Sequence, residues 1–375
     1  MIDQFDHDNN GTTISARRFA ETLRAHGNEV RVVSTGGGAP EKYVVDEYRI
    51  PFFDGLIKSQ GMTIAKPNRK TLEEAVRWAD LVHFLMPFPL SLQGEKIASE
   101  LGVPHTAAFH VQPENITYSI GMGKWDWVND GIYKGFNRVF YNKFRHIHCP
   151  SQFIANELKE HGYTAELHVI SNGIEEDFFY RKIEKEERLR GRFVILMIGR
   201  LSNEKRQDVL IRAIAKSKYA DCIQLVLAGQ GPRREAIEQL GKELLKNPPM
   251  IGFFPKERLR DIIAMSDLYV HSADVEIEAI SCIEAFASGL VPVIANSPKS
   301  ATPQFALDER SLFPAGDCDT LAGRIDYWIE HPEIRQEMEQ RYSEHGKQYN
   351  IDNCVSQIEE MYRQEIEDNA NAIQH

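Results

Sequence analysis

The chain has 375 residues, of which 42% are hydrophobic and 26% charged, and its formal net charge is −11. This length exceeds one ordinary hydrophobic core, so we expect two domains of about 150 to 200 residues each. The longest apolar run, LVHFLMPFPL, is too short and too rich in proline to span a bilayer, so no transmembrane helix is predicted. The acidic balance argues against a nucleic-acid partner.

Charge distribution and cysteine use indicate where the protein works. Residues 1–150 carry 17 basic and 17 acidic side chains, so the whole acidic excess lies in the second half. The five cysteines are widely spaced and form no CxxC pair, which is typical of reduced thiols in a cytoplasm. The N-terminal MIDQFDHDNN is acidic, so no export signal is predicted. It holds only the stub of a first strand, and we therefore expect the native start to lie upstream.

The coarse pattern of elements predicts an α/β protein. Short β-branched and aromatic runs alternate with amphipathic helical patterns, which is typical of parallel sheets wrapped by helices. Among the helices, SARRFAETLRAHG places Phe19 and Leu23 on one face and ends at Gly27. In chain order, strands are predicted at EVRVVST, ADLVHFLM, PHTAAFH, RHIHCPS, RFVILMIG, IQLVLAG, LYVHSA and VPVIA.

Two segments divide the chain. The charged stretch EEDFFYRKIEKEERLRG, residues 175–191, interrupts the alternation and is interpreted as an exposed connection. The final segment CVSQIEEMYRQEIEDNA has apolar residues at helical spacing, so we expect it to pack on another surface. We predict an N-terminal domain of residues 1–172, a C-terminal domain of residues 173–350 and a terminal helix of residues 351–375.

Two glutamates eight residues apart, Glu276 and Glu284, stand in an otherwise apolar stretch between the strands LYVHSA and VPVIA. Glu276 lies in the loop after the first strand and Glu284 one turn into the next helix, so both are expected at one edge of the sheet. Ser281 and Glu284 also form an S-x-x-E pattern, and a helix-capping role for Glu284 fits this segment equally well.

The stretch MIGRLSNEKRQ supplies two cations to the same edge. Arg200 directly follows a strand and Lys205 opens the next helix. Such a pair suits a diphosphate, although each cation alone is more often a solvated surface residue. The helix start at residues 280–282 adds backbone N–H groups that attract anions. Together these features predict a phosphate site.

Two weaker patterns have a plain structural alternative. His110 ends a strand of the first half and would point toward the same cleft if the two domains face each other, but a lone histidine is more often structural. The stretch AGQGPRRE is explained better by a tight turn, with Pro232 at the first helical position, than by a dinucleotide loop.

Three polar loops are also open to more than one interpretation. The loop NNGTTISARRFA, which contains Gly11, fits a phosphate contact and an ordinary turn capped by Thr13 or Ser15 equally well. The acidic triplets DHD, residues 6–8, and DCD, residues 317–319, lack the further ligand of a metal site and are interpreted as loop and cap residues.

Taken together in chain order, FH at residues 109–110, SNGI at residues 171–174, GRLSNEKR, the spacing of Glu276 and Glu284, and EAFASGLVPV resemble the retaining GT-B glycosyltransferases of family four. The similarity covers nearly the whole chain, and the joint order is specific although no single motif is. It implies two Rossmann-like, doubly wound domains that face a cleft. It also implies a C-terminal helix that crosses back to the first domain and a nucleotide-sugar donor held mainly by the second.

The resemblance implies a role for each site residue. Arg200 and Lys205 would bind the diphosphate and Glu284 the ribose hydroxyls, while Glu276 with the neighbouring backbone would bind the donor sugar. A buried carboxylate suits hydroxyl donors because such hydrogen bonds are charge-assisted. His110 would lie beside the transferred sugar. The implied catalytic residues are His110, Arg200, Lys205 and Glu276, and the implied donor-binding residues are Gly11, Arg200, Lys205, Glu276, Ile280, Ser281 and Glu284.

The chain departs from the family pattern at two places near the donor. The E-P-x-G start reads Glu276-Ile277-Glu278-Ala279, and the G-G loop reads Asn10-Gly11. These departures bear on the identity of the sugar rather than on the class, and a UDP-glucose-like donor is the working hypothesis. Glu278 is interpreted as a surface residue or a group behind the site. Neither a metal ion nor a cofactor is expected, because cationic side chains replace the metal.

The acceptor is predicted from the stretch FHVQPENITYSIGMGKWDWVNDGIYKGFNRVFYNKFRHIH, which resembles the corresponding region of bacterial enzymes that glycosylate diacylglycerol. From residue 124 to residue 145, five basic residues against two acidic ones alternate with aromatic rings. This composition suits a membrane interface, and a half-buried core helix with a solvated face fits it about as well. The candidate membrane-contact residues are Lys124, Trp125, Trp127, Lys134, Arg138, Lys143 and Arg145.

The predicted function is transfer of a sugar from a nucleotide diphosphate sugar to a membrane lipid such as diacylglycerol. The enzyme is expected in the cytoplasm, at the inner face of the plasma membrane. Transfer to a soluble acceptor or to a cell-wall or polysaccharide precursor is the alternative reaction. A non-catalytic nucleotide-sugar-binding protein is the alternative outside enzymes.

Overall fold

A computed structural model describes residues 1–6, 11–39, 41–48, 63–119, 122 and 125–374 of the chain. The chain separates into two compact units. Unit 1 comprises Met1–Gly173 together with Ile351–His375, and unit 2 comprises Ile174–Asn350. Each unit is built around its own parallel sheet.

The strands of unit 1 form a two-stranded and a four-stranded sheet. They are β1 (Val32–Ser34), β2 (Lys42–Val44), β3 (Val82–Phe84), β4 (His105–Ala108), β5 (His146–Cys149) and β6 (Glu166–Val169). The larger sheet has the order β3-β4-β5-β6, and β1 pairs with β2. Strands β1, β3, β4 and β5 lie on the four runs predicted for this half. The sequence does not predict β6, because none of its four residues is buried.

Unit 2 holds a six-stranded sheet in which every neighbouring pair is parallel. The strands of unit 2 are β7 (Phe193–Ile198), β8 (Ile223–Ala228), β9 (Met250–Gly252), β10 (Leu268–His271), β11 (Val275–Glu276), β12 (Pro292–Asn296), β13 (Lys299–Ser300) and β14 (Leu312–Pro314). The order is β14-β12-β10-β7-β8-β9, with β11 and β13 paired separately. The direction of the order reverses between β7 and β10, and ligands of such sheets bind at the carboxyl ends of these strands.

Helices connect these strands, which confirms the predicted α/β class with Rossmann-like units. The helices of unit 1 that precede unit 2 in the sequence are α1 (Gly11–Ala25), α2 (Arg69–Trp78), α3 (Pro89–Leu101), α4 (Pro113–Ser119), α5 (Asp126–Val139) and α6 (Gln152–Glu160). Those of unit 2 are α7 (Gln207–Lys216), α8 (Arg234–Leu244), α9 (Lys256–Met265), α10 (Ile280–Ala287), α11 (Cys318–Glu330) and α12 (Pro332–Gly346). Among the described residues, no helix has both the length and the apolar character needed to cross a bilayer.

The last helix, α13 (Ile351–Gln374), follows unit 2 in the sequence but packs within unit 1. Its buried residues Ile358 and Met361 share a core cluster with Phe19 of α1. A polar contact lies beside this cluster, where His26 Nδ1 is 3.0 Å from a carboxylate oxygen of Glu359. The apolar spacing seen in the sequence is therefore the packing face of this helix.

Candidate active site

The loop after β7 carries Arg200 and is braced by the loop after β8. The Leu201 N–H donates a hydrogen bond of 3.0 Å to the Gln230 carbonyl, so the two loops lie against each other. Gly229 and Gly231 permit this approach, because a Cβ at either position would collide with the backbone of the first loop. Arg200 is thereby held, half-buried, at the carboxyl end of β7.

This contact corrects the interpretation of the two glycines. The predicted turn is present at residues 232–233, but α8 begins at Arg234, so Pro232 precedes the helix rather than opening it. The Arg233 N–H donates a hydrogen bond of 2.9 Å back to the Leu201 carbonyl. The glycines therefore serve the contact between two loops as well as the turn.

Lys205 ends a short 3-10 turn, Asn203–Lys205, and is positioned from β10. The Ser272 hydroxyl, just after β10, lies 3.0 Å from the carbonyls of both Lys205 and Arg206 and donates to them. The Lys205 ammonium forms a close ion pair with the Glu276 carboxylate. The structure thus brings together two predicted site residues from different strand ends.

Glu276 also terminates a buried chain of polar side chains. His271 Nε2 lies 2.9 Å from Glu276 Oε1, and His271 Nδ1 lies 3.1 Å from the Tyr269 hydroxyl. That hydroxyl is 3.3 Å from Ser281 Oγ, which donates to the Ile198 carbonyl at 3.2 Å. Because a carboxylate only accepts, His271 donates from Nε2 to Glu276. The chain links the ends of β7 and β10 to the start of α10.

Glu276 is held as an anion by this network. The side chain is buried, which alone would raise its pKa, but the charge of Lys205 and the hydrogen bond from His271 lower the pKa to about 2. Glu276 is therefore ionised throughout the physiological range and accepts hydrogen bonds only. Such a group suits the hydroxyls of a ligand.

The start of α10 excludes the capping interpretation of Glu284. The residue before the helix is Ala279, whose side chain makes no capping hydrogen bond, and Ser281 is already the second helical residue. The S-x-x-E pattern therefore does not form a capping box, since its serine lies inside the helix. Glu284 is buried in α10. The first N–H groups of the helix, at Ile280 and Ser281, form the kind of end that attracts anions.

Two residues of the stretch Glu276-Ile277-Glu278-Ala279 are informative. Ala279 has a φ of 67°, in the left-handed region where glycine is favoured, so the glycine of the family motif has a backbone reason. Glu278 is only 3% exposed. Its interpretation as a surface residue is therefore wrong, and its interpretation as a group behind the site remains a prediction.

His110 belongs to unit 1 and follows β4. Its ring is buried, its centroid lies 5.5 Å from that of His148, and its Nε2 has no hydrogen-bond partner in the part of the chain that the structure describes. Burial and, secondarily, His148 lower the pKa of His110 to about 3, so the ring is neutral near pH 7. The structure places the other three predicted catalytic residues in unit 2.

The N-terminal loop is only partly described. Gly11 is the first residue of α1, is exposed, and has open space where a Cβ would point. The predicted caps Thr13 and Ser15 are wrong, because both lie inside the helix. Thr13 donates to the Gln4 carbonyl, and Ser15 donates to the Gly11 carbonyl. Asn10 lies outside the described residues.

The acidic triplets do not form a metal site among the described residues. Asp317 caps α11 by accepting hydrogen bonds of 3.0 Å from the N–H groups of Asp319 and Thr320, as predicted. Asp6 forms an ion pair of 2.7 Å with Lys42, and the other two residues of its triplet lie outside the described range.

The basic and aromatic segment around α5 divides into two parts. Four of its rings are buried in the core of unit 1, as the core-helix interpretation predicts: Tyr133, Phe140, Tyr141 and Phe144. Trp125 and Trp127 are instead 50% and 73% exposed, and their rings stack at a centroid distance of 6.2 Å. The exposed aromatic surface is therefore confined to the start of the helix.

The basic residues of this segment also differ from one another. Lys134 and Arg138 are exposed on α5. Lys143 forms an ion pair of 2.6 Å with the buried Glu95, and Arg145 lies 4.0 Å from Glu365. Lys124 lies outside the described residues. The described basic residues closest in sequence to the exposed tryptophans are thus those of α5.

The sequence does not indicate the roles of Tyr269 and His271. They stand two residues apart in a buried strand, so their side chains share one face, which is a signal that could have been found. Their connection to Glu276 depends on how the chain turns after β10, and that turn carries no recognisable motif.

Two parallel-sheet units, with an ion pair and a helix start at the strand-order reversal of unit 2, define a GT-B glycosyltransferase. Two family models match consecutive parts of the chain and agree with this class. "Glycosyltransferase Family 4" matches residues 9–178, and "Glycosyl transferases group 1" matches residues 179–349. The chain belongs to this family of glycosyltransferases, as its motifs predict.

Individual relatives carry names within the same class. The chain is 26% identical over 307 residues to the alpha-monoglucosyldiacylglycerol synthase of Streptococcus pneumoniae, a match that covers 76% of this chain and 68% of that protein. Its fold is similar to Anabaena Alr3699/HepE in complex with UDP and glucose, with a TM-score of 0.74, 16% identity and coverage of 96% and 98%. The catalytic domain of cholesterol-alpha-glucosyltransferase from Helicobacter pylori is 47% identical, over 42% of this chain and 99% of that domain, with a TM-score of 0.41.

Proposed function

We propose that the protein transfers glucose or a similar hexose from its UDP sugar to a membrane lipid such as diacylglycerol, with retention at the anomeric carbon. The observation that carries this proposal is the network of Lys205, Glu276 and His271 at the strand-order reversal of unit 2. It offers a fixed anion for sugar hydroxyls beside cations and a helix start for a diphosphate.

In this proposal the leaving group is stabilised electrostatically. Arg200, Lys205 and the start of α10 lie at the carboxyl ends of β7 and β10, where charge develops on the departing diphosphate. Lys205 is already paired with Glu276, so its position is fixed before the donor binds. Glu284 would accept the ribose hydroxyls, and His110 and Gly11 keep the donor-binding roles that the family resemblance implies.

The proposal includes no metal ion and no cofactor. A divalent ion in such a reaction would neutralise the diphosphate, and the two cations and the helix start supply that charge here. We expect transfer to continue in the presence of a chelator. Loss of activity with a chelator, restored by magnesium or manganese, would contradict this part of the proposal.

The donor is proposed from two findings. The relative from Streptococcus pneumoniae is named for a glucosyl product, and the Anabaena structure of the same fold holds UDP and glucose. UDP-glucose is therefore the first donor to test. The test is release of UDP from a series of nucleotide sugars, with the anomeric configuration of the product read by proton NMR. A product of inverted configuration would overturn the retaining mechanism.

The lipid acceptor is proposed from the name of the same relative and from the exposed surface at the start of α5. Trp125 and Trp127 present stacked rings, and Lys134 and Arg138 on the same helix supply positive charge. Aromatic and basic residues together suit the interface of an anionic bilayer. The five cysteines are widely spaced and form no CxxC pair, which is typical of a reducing compartment, and we place the enzyme at the inner face of the plasma membrane.

Vesicle binding tests the acceptor side. Wild-type protein should bind vesicles that contain anionic lipid, and the double variant Trp125→Ser/Trp127→Ser should lose most of this binding while it still releases UDP in solution. Phe253→Ser is the matched control, since Phe253 is a single exposed ring, 63% accessible, in unit 2. Wild-type protein that ignores anionic vesicles would favour the soluble acceptor or the cell-wall precursor instead. Binding of donor without any transfer would favour the non-catalytic sugar-binding protein.

A further inference from the structure

Three side chains of the types that bind transition metals meet at the edge of the unit 1 sheet. His146 opens β5 and lies beside Glu166, the first residue of β6. His168 lies two residues further along β6, on the same face as Glu166. Because His110 follows the carboxyl end of β4 and His146 lies at an amino end, this cluster and His110 lie at opposite edges of the sheet.

The three side chains converge on one point. His146 Nδ1 and His168 Nε2 are 2.9 Å apart, and each lies 3.8 Å from an oxygen of Glu166. One ligand atom from each residue lies within 4.8 Å of the others, and this is the only such group in the part of the chain that the structure describes. Ligand atoms around tetrahedral zinc are about 3.3 Å apart. A small movement of the two imidazoles would give this spacing.

A residue of the C-terminal helix orients the first imidazole. Asp368 on α13 accepts a hydrogen bond of 3.0 Å from His146 Nε2. With its proton on Nε2, the neutral ring keeps its lone pair on Nδ1, the nitrogen that faces His168 and Glu166. A carboxylate behind a histidine is how proteins commonly fix an imidazole that binds a metal.

We propose that His146, Glu166 and His168 bind a zinc ion that fastens the C-terminal helix to the edge of the unit 1 sheet. The ligands are His146 Nδ1, His168 Nε2 and one carboxylate oxygen, and water fills the fourth position. The neutral His168 carries its proton on Nδ1 instead of Nε2 when the ion binds, so the Nε2 lone pair is free for the metal and no proton is released. The bound ion holds His146 against Asp368 and thereby stabilises the packing of α13.

The composition of the cluster selects the metal. Two imidazoles and one carboxylate suit zinc and other late first-row divalent ions, whereas magnesium and calcium prefer sites made of oxygen atoms. The site is separate from the proposed reaction, which uses residues at the other edge of this sheet and in unit 2. Zinc at this position and transfer without a metal are therefore compatible.

The test measures zinc binding by the full chain without a polyhistidine tag, after the protein has been stripped of metal. Calorimetric titration should give one zinc ion per chain, and zinc should raise the melting temperature in proportion to the logarithm of its concentration. The variant Glu166→Gln/His168→Gln should lose this ion and the rise in melting temperature. Glu166 is 65% exposed at its side chain, so Glu166→Gln alone provides a second variant that keeps its fold.

Two further variants separate a metal site from a merely structural contact. Asp368→Ala should weaken zinc binding about 10- to 100-fold, since the orienting carboxylate is lost. His26→Gln is the matched control, because His26 contacts Glu359 of the same helix but lies outside the cluster, and zinc binding should be unchanged. The proposal is overturned if wild-type protein binds no stoichiometric zinc, or if the Glu166/His168 variant binds it as tightly as wild type.

Discussion

The histidine rings of the two main sheets differ in how their nitrogen atoms are hydrogen-bonded. In unit 2, His271 uses both ring nitrogens, one toward Glu276 and the other toward Tyr269. In unit 1, each of three histidines, two buried and one half-buried, has one buried ring nitrogen without a partner among the described residues. These are Nε2 of His83, Nε2 of His110 and Nδ1 of His148.

The polar side chains of unit 2 are therefore preorganised, whereas those of unit 1 include ring nitrogens whose hydrogen bonds are not made. A buried polar group without a hydrogen bond costs about 1 to 3 kcal/mol of stability, so a ligand or a water molecule that paired with one of these nitrogens would offset that cost. In unit 2, the polar side chains linked to Glu276 satisfy one another's hydrogen bonds. They also keep the Glu276 anion next to the Lys205 cation. We infer that unit 2 holds charge ready for a donor, whereas His110 offers a neutral group whose hydrogen bond can be made to a ligand.

The largest effect is expected from removing a cation of unit 2. Lys205→Ala or Arg200→Ala should lower the transfer rate by about 10²-fold or more, because a preorganised charge contact to the leaving diphosphate is lost. Steady-state release of UDP in the presence of acceptor measures this effect. Lys216→Ala is the control, because Lys216 pairs with Asp319 at the surface of the same unit. Normal turnover in both Lys205→Ala and Arg200→Ala would contradict the assignment of these two residues to the diphosphate.

Acid stability should depend on Glu276 in a defined range of pH. Its pKa is lowered from 4.5 to about 2, so its stabilising contribution is present above pH 4.5 and is lost as the pH falls toward 2. The shift corresponds to about 3 kcal/mol of unfolding free energy. Glu276→Gln should therefore be less stable than wild type at neutral pH, with a gap that narrows below pH 4.5. Denaturant unfolding at several pH values measures this, and a gap that does not change with pH would contradict the paired-anion description.

His110 should show its effect at higher pH. Its pKa is lowered to about 3, so the unfolded chain takes up a proton below pH 6.5 that the folded chain refuses, and stability falls as the pH drops from 6.5 toward 3. His110→Gln should reduce this loss by up to about 1.4 kcal/mol per pH unit.

His26 provides a control of opposite sign for the pH dependence of stability, which denaturant unfolding at several pH values measures. The hydrogen bond to Glu359 is the main cause that raises the pKa of His26, so its contribution is present below pH 6.5 and is lost as the pH rises. His26→Gln should accordingly steepen the loss of stability in acid. If both histidine variants changed the pH dependence in the same direction, burial would not be the cause of the His110 effect.

Glu284→Gln should separate ligand binding from stability. If Glu284 binds the ribose, the variant should bind UDP about 10-fold more weakly, the size of one charge-assisted hydrogen bond. Its melting temperature should stay close to that of wild type, because no capping bond is lost. Calorimetric titration with UDP measures the first effect. Unchanged affinity together with lower stability would assign Glu284 to packing alone.

The smallest effect is expected at Ala279. Its φ of 67° is unfavourable for a residue with a Cβ, so Ala279→Gly should leave stability unchanged or raise it by up to about 1 kcal/mol. Ala285→Gly, inside α10, is the matched control and should lower stability by at least about 0.5 to 1 kcal/mol. Thermal unfolding measures both. A marked loss of stability in Ala279→Gly would show that the alanine methyl group makes a necessary contact.

The sequence predicts the strands that have long apolar runs and fails at the edges of the sheets. β7, β8, β10 and β12 are nearly fully buried, so their side chains had to be apolar and left a clear signal. The edge strand β6 has no buried residue and reads like a loop. Because only buried strands leave an apolar signal, the sequence predicts the α/β fold class but not the number of strands.

Candidate site residues were predictable where they follow strands, but their pairing was not. Arg200 and Glu276 stand after apolar runs and are visible as polar interruptions. The ion pair of Lys205 with Glu276 joins residues 71 positions apart, and nothing in either segment specifies the other. The capping pattern of Ser281 was misleading because a helix start depends on backbone geometry at Ala279, which a short motif does not encode.

The brace between the loops after β7 and β8 has a consequence for protein engineering. Main-chain hydrogen bonds hold it, from Leu201 to Gln230 and from Arg233 back to Leu201, so it does not depend on the side chains at these positions. A mutant library that varies the side chain at residue 200 should therefore yield folded proteins, so that a loss of transfer among its members reports on the diphosphate contact rather than on misfolding. A library that varies Gly229 or Gly231 would instead displace the loop itself and lose most members to misfolding.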